Sequence, residues 1–172
     1  EGTTIHMANS SVIRYCQLFD PIKGCHYFAN RGTSGIDGST STALGYASKD
    51  QGLNILITGD VSFLYDSNAL RLRDLAPNMK IILINNQGGG IFRIIDGSKH
   101  AEQRSRFFEA SHELKGTIAQ EYGWKYRQCQ AVGNLDDAMH ALLYTEDVNC
   151  LEIMTDANQS PHTLKDFFTF VR

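Results

Sequence analysis

Lys80 to Asn85 encloses Ile81-Ile82-Leu83-Ile84, an unbroken run of branched apolar residues closed by asparagine. A strand with one wet face alternates apolar and polar residues, so a continuous run of strand length has to be covered on both faces. That is the situation of a central strand in a parallel sheet, and the rest of the chain has the rhythm such a sheet needs. Further segments at 4–7, 25–29, 53–58, 124–128 and 148–154 read as strands. Between them, 12–19, 39–49, 64–75, 112–122 and 135–145 have helical spacing, and a last helix opens at Ser160-Pro161. Asn9-Ser10 offers a cap to the first helix, Pro77 and Gly123 end two others, and Asp136 and Asp137 sit where the positive end of a helix favours acids. Strands alternating with helices predict an α/β fold, a three-layer α/β/α arrangement around a mostly parallel six-stranded sheet. The pattern fails only in the polar stretch 97–111, which is expected to be a loop over a site.

The 172 residues are the length of one domain, and a chain that is 42% hydrophobic buries a core without staples. Cys16, Cys25, Cys129 and Cys150 form no Cys-x-x-Cys pair, which argues for buried reduced thiols and a cytoplasmic protein rather than a metal or redox motif. A net charge of -3 gives no electrostatic reason to expect nucleic acid or an anionic membrane as partner. No apolar run approaches the length that spans a bilayer, so no membrane insertion is expected.

Ligands of parallel sheets collect outside the carboxyl ends of the strands. Three polar, glycine-bearing loops fall there: 30–38, 59–62 and 85–90. Asp60 follows a buried strand and opens a helix, where free N–H groups favour an anion or a cation-bridged phosphate. Asn86 ends the next strand, one helix and one strand later. Magnesium takes oxygen ligands in an octahedron and shares them with substrate phosphates. Asp60 supplies a carboxylate, Asn86 an amide oxygen and Gly88 a backbone carbonyl, with Gly88-Gly89-Gly90 allowing the tight turn that presents it. Taken singly, Asp60 is equally a helix cap and Asn86-Gln87-Gly88 a turn; their joint occurrence favours the metal reading. A dinucleotide site is rejected, because no strand is followed by Gly-x-Gly-x-x-Gly.

Gly59-Asp60, one βα unit, and then Asn85-Asn86 resembles the cofactor motif of thiamine-diphosphate decarboxylases and carboligases. Three stretches narrow the resemblance: Asn30-Arg31-Gly32-Thr33-Ser34-Gly35-Ile36-Asp37-Gly38, the run 59–70 beginning Gly59-Asp60-Val61-Ser62-Phe63, and Asn85-Asn86-Gln87-Gly88-Gly89-Gly90-Ile91-Phe92. They are similar to the 2-succinyl-5-enolpyruvyl-6-hydroxy-3-cyclohexene-1-carboxylate synthases of menaquinone biosynthesis. The resemblance runs over almost the whole chain, densest from 9 to 92, and concerns only the C-terminal, diphosphate-binding domain of such enzymes. It therefore implies that residues 1–172 are one domain of a longer, homodimeric or homotetrameric protein whose pyrimidine-binding and middle domains lie elsewhere.

By that resemblance the cofactors are thiamine diphosphate and Mg2+ (or Mn2+), with Asp60, Asn86 and Gly88 on the metal. Gly59 and Ser62 meet the diphosphate, Ile36 lies under the bent cofactor, and Phe92 and Ile95 line the site. Ser34, Gly35 and Val61 complete the cofactor-binding set. Ser10, Arg14 and Arg31 are the candidates for holding carboxylates, the first two on one helical face; the planar fork of arginine suits that task. The intact enzyme would decarboxylate 2-oxoglutarate and add the succinyl unit to isochorismate. The glutamate that activates the aminopyrimidine ring has no counterpart here, so no catalytic residue is assigned and the chain alone is expected to be inactive. Two alternatives stay open: a domain of another thiamine-diphosphate 2-oxoacid decarboxylase or acetohydroxyacid synthase, and a non-catalytic cofactor-binding domain.

Overall fold

The computed structural model describes residues 2–94, 102–103, 106, 109 and 115–171. In chain order the elements are β1 (Thr3–Met7), α1 (Ser11–Cys16), β2 (Cys25–Ala29), α2 (Ser39–Ala47), β3 (Asn54–Gly59), α3 (Asp60–Tyr65), β4 (Met79–Asn85), α4 (Ile118–Glu121), β5 (Tyr126–Cys129), α5 (Leu135–Tyr144), β6 (Cys150–Met154) and α6 (Gln159–Phe170). Short 3-10 turns occupy Ser67–Leu75, Gly90–Arg93 and Val132–Asn134. The sheet has six strands in the order β2-β1-β3-β4-β6-β5, and every pairing is parallel.

β4 lies inside the sheet between β3 and β6, as its sequence demands. Its residues alternate between two cores. Ile81 and Leu83, with Leu56 of β3 and Cys150 of β6, meet Ala43, Leu44, Phe63, Leu70 and Trp124 on one face. Ile82 and Leu151, backed by Ile55, Ile57, Ile84 and Ile153, meet Ala138 and Leu142 of α5 on the other. A strand covered on both sides can afford no polar alternation, which is the physical content of the 80–85 run.

The predicted helix over 64–75 is corrected. α3 starts earlier, at Asp60, and stops at Tyr65; the chain then tightens into the 3-10 turn from Ser67. Asp66 explains the break, because its carboxylate is committed elsewhere: Oδ2 accepts from the Ser41 N–H at 2.6 Å and from Ser41 Oγ at 2.9 Å. That satisfies an orphan donor in the first turn of α2 from outside the helix. The first helix is also shorter than 12–19, ending at Cys16. Ser10 stands at its N-cap position with a φ of 74° and makes no side-chain cap. Of the helix expected over 112–122, residues 112–114 lie outside the described residues, and the described part is the single turn of α4. All four cysteines are free thiols; Cys129 and Cys150 are buried and Cys16 and Cys25 half-buried. Among the described residues no helix is long and apolar enough to cross a membrane.

Candidate functional site

The strand order reverses at β1. The chain passes from β1 outward to β2 and then returns to place β3 on the opposite side of β1. At such a switch point the loops leaving two neighbouring strands diverge and open a crevice. Here a cleft of about 1160 Å³ lies outside the carboxyl ends of β1, β3, β4 and β6. Asn9 and Ser10 enter it after β1, Gly59, Asp60, Val61 and Ser62 after β3, Asn86 after β4, and Ile36 from the loop behind β2.

The loops are joined by hydrogen bonds rather than merely adjacent. Asp60, 5% exposed, accepts from its own helix through the Val61 N–H to Oδ1 at 2.8 Å. Its Oδ2 accepts from the Gly88 N–H at 2.8 Å, which clasps the β3 loop to the β4 loop. Gln87, Gly88 and Gly89 carry successive φ values of 65°, 111° and 74°. Three left-handed residues in a row point backbone N–H groups inward, and two of the three are glycines, which adopt that conformation without strain. On the other side, Ser62 Oγ donates to the Ile36 carbonyl at 2.5 Å and holds the 30–38 loop against α3.

Burial pushes the Asp60 carboxyl up from its ordinary value, and the N–H groups of Val61, Gly88, Asn86 and Gln87 pull it back. Among the described residues no basic side chain pairs with it. The Asn86 Oδ1 next to this loop is buried and has no hydrogen-bond partner among them. Gly90 packs so tightly on the Asn86 amide that a Cβ there would overlap Nδ2 and lie 3.1 Å from Cγ. A buried carboxylate without a cation and a buried amide oxygen without a donor both cost free energy. One hard cation would meet both deficits, since such ions take carboxylate, amide and carbonyl oxygens. No group of three or more His, Cys, Asp or Glu side chains gathers among the described residues.

The expected residues divide into four sets. Ser10, Ile36, Gly59, Asp60, Val61, Ser62, Asn86 and Phe92 line the cleft. Gly88 is buried behind it, holding Asp60. Ser34, Gly35 and Arg31 stand back from the wall, and Arg14 is exposed on α1 rather than facing the cleft with Ser10. Ile95 lies outside the described residues, as does most of 97–111.

Asn9 is the residue that sequence reasoning missed. It was read as part of a helix cap, yet its amide turns away from α1. Nδ2 donates to the carbonyls of Asn30 and of Gly35, the latter at 2.6 Å, and Oδ1 accepts from Arg31 Nη1 at 3.2 Å. Asn9 thus pins the β2 loop and positions Arg31 near the crevice. No local pattern announces a partner more than twenty residues away.

A scan against protein-family models finds no match. Individual proteins do match. The chain is 40% identical over 175 residues to a 2-succinyl-5-enolpyruvyl-6-hydroxy-3-cyclohexene-1-carboxylate synthase of Christiangramia forsetii, covering 100% of this chain and 30% of the relative. Proteins of the same name from Flavobacterium psychrophilum and Bacteroides fragilis are 44% and 41% identical, each over 95% of this chain and 30% of the relative. Over nearly its whole length, the chain is therefore a homologue of part of the 2-succinyl-5-enolpyruvyl-6-hydroxy-3-cyclohexene-1-carboxylate synthases, spanning about 30% of their length.

Proposed function

We propose that this chain is the C-terminal, diphosphate- and magnesium-binding domain of a thiamine-diphosphate-dependent carboligase. The complete enzyme decarboxylates 2-oxoglutarate and adds the succinyl unit to isochorismate. The observation that carries the reading is the Asp60 cluster: a buried carboxylate clasped to Gly88 beside the orphaned Asn86 oxygen, at the edge of a large cleft.

In this reading Asp60, Asn86 and the Gly88 carbonyl hold Mg2+, and Mn2+, also an oxygen-seeking ion, substitutes for it. Gly59, Val61 and Ser62, at the start of α3, hold the diphosphate, with Ser34 and Gly35 supporting the loop opposite. Ile36 and Phe92 supply apolar walls for the ring portion; Ile95, outside the described residues, is assigned to cofactor binding with them. Bound there, thiamine diphosphate supplies the electron sink that decarboxylation of a 2-oxoacid requires. The chain's own work is to bind, orient and exclude water. Ser10 and Arg31, the latter held by Asn9, orient substrate carboxylates at the mouth. Arg14, exposed here, meets a carboxylate only once another part of the enzyme covers α1. The pyrimidine-binding and middle domains, the activating carboxylate and the homodimeric or homotetrameric assembly belong to the rest of a cytoplasmic protein.

Calorimetric titration of the complete protein with thiamine diphosphate, with and without magnesium, tests this. Magnesium-dependent binding is expected for wild type and its loss for Asp60→Ala, which removes both the ligand and the acceptor of the Gly88 N–H. An Asp60→Ala protein that binds as wild type does overturns the metal assignment. Carbon dioxide release from 2-oxoglutarate that needs no isochorismate, and yields no adduct when it is supplied, overturns the carboligase assignment.

A further inference from the structure

Glu152, in the middle of β6, is a fully buried carboxylate that the proposed site does not use. It faces the side of the sheet occupied by Leu83 and Cys150, and four donors converge on it. Oε1 accepts from Asn85 Nδ2 at 2.7 Å and from the Gly116 N–H at 2.9 Å. Oε2 accepts from Gln128 Nε2 at 2.8 Å and from the Tyr126 hydroxyl. The approach to Gly116 is so close that a Cβ there would lie 2.6 Å from Leu83 Cδ2 and 3.0 Å from the carboxyl carbon.

Ionised carboxylates are kept inside proteins only when their acceptor capacity is filled, and a filled network is rigid. The two oxygens face different parts of the molecule. Oε2 ties down the edge strand β5. Oε1 fixes the Asn85 amide, whose own Oδ1 then accepts from the Gln87 N–H at 2.9 Å and from Gln87 Nε2 at 3.2 Å. Gln87 is the first of the three left-handed residues, and the Gly88 N–H after it is the one on Asp60. A chain of hydrogen bonds therefore runs from Glu152 through Asn85 to the turn that flanks the metal position.

We propose that Glu152 is a positioning residue for the Asn86–Gly89 turn: through Asn85 it sets the geometry in which that turn receives the metal and diphosphate. The inference rests on the cofactor site proposed above. Supports standing behind metal ligands change affinity by about 10- to 100-fold when removed. Replacing Glu152 by leucine removes the anchor, while glutamine keeps an oxygen for Asn85 and Gly116. The new amide of glutamine is met on the far side by rotating the Tyr126 hydroxyl and flipping Gln128.

The test measures magnesium–thiamine diphosphate affinity by calorimetry, together with cofactor-free melting, on the complete protein. Glu152→Leu and Asn85→Ala are expected to bind about 10- to 100-fold more weakly. Glu152→Gln is expected to stay within about threefold of wild type, as the kept oxygen predicts. Tyr126→Phe, which touches only Oε2, lowers the melting temperature and leaves affinity unchanged. Wild-type affinity in Asn85→Ala or Glu152→Leu overturns the proposal, as does an equal loss in Tyr126→Phe, which marks plain destabilisation. If Glu152→Leu does not fold, Asn85→Ala decides alone. Wild-type protein that binds no cofactor refutes the site reading and this inference with it. Binding that Asp60→Ala abolishes but Asn85→Ala spares refutes the inference only.

Discussion

A methyl group at position 59 separates what the fold requires from what the ligand requires. Gly59 has φ -88° and ψ 162°, ordinary extended backbone, and nothing lies within 4 Å of a Cβ built on it. The protein itself gives no reason for glycine there. Gly59→Ala is therefore expected to stabilise the cofactor-free protein, by about 0.4–1 kcal/mol, because alanine has less freedom to lose on folding. In a domain of this size that raises melting by about 1–4 °C. The same open space is the floor of the cleft, where the diphosphate is proposed to lie. A methyl group inserted into a packed contact costs about 1–3 kcal/mol, and about 2 kcal/mol weakens binding roughly 30-fold. At a cofactor concentration of about 100 times the wild-type Kd, ligand adds about 2.7 kcal/mol to wild-type stability and about 0.9 kcal/mol to the variant. A differential thermal melt with and without magnesium and thiamine diphosphate then shifts by about 5–11 °C for wild type and about 2–4 °C for Gly59→Ala. Equal shifts in the two proteins refute the placement of the diphosphate. A lower cofactor-free melting temperature in the variant refutes the claim that position 59 is open.

Gly90→Ala acts from the opposite direction, by pushing the Asn86 amide out of place; magnesium titrated at saturating thiamine diphosphate is expected to half-saturate at about 10- to 100-fold higher concentration. An unchanged half-saturation point removes Asn86 from the metal. His6 gives a pH signature unrelated to the site. Burial pushes its imidazole below the ordinary 6.5, against the hydrogen bond to Asn54 and the charge of Asp50. Below pH 6.5 the unfolded chain then binds more protons than the folded one, so this stability is full above 6.5 and is lost as pH falls through the folded value. His6→Gln keeps a donor for the Asn54 oxygen; the stability difference between the two proteins, from urea titrations across pH, is flat above 6.5 and changes below it. A difference that does not vary with pH shows that His6 does not titrate with unfolding.

The α/β class, all six strands and the loops at their carboxyl ends were legible because each rests on local chemistry: β4 by its unalternating run, the loops by glycine and asparagine at strand ends. The nearness of Gly59-Asp60 to Asn86 was legible because a sheet of this connectivity brings consecutive strand ends together. Polar side chains that act at long range were hidden. Asp66 breaks a helix in order to satisfy Ser41, and no periodicity announces that exchange. Asn9 looked like a cap and serves the loop behind β2 instead. Nothing in the sequence marks Glu152 within its apolar strand, and its four donors come from three separate places in the chain. For Arg14 the spacing from Ser10 predicts a shared helical face, but the unusual φ of Ser10 means the helix begins only after it.

The crossover between β4 and β6 has an evolutionary consequence. Those strands pair directly although Ile81 meets Cys150 from far along the chain, and the intervening segment contributes the edge strand β5 and the Gly116 contact. Closure entropy grows with the logarithm of loop length, so doubling a connection costs only about 0.6 kcal/mol. The turn proposed to bear the metal and the Glu152 carboxyl group behind it sit at the two ends of that connection, fixed by sheet register rather than by its length. Insertions and replacements between them can therefore reshape one wall of the cleft while the cofactor end stays where it is. In the proposed carboligase, substrate preference and cofactor chemistry can therefore diversify on separate clocks.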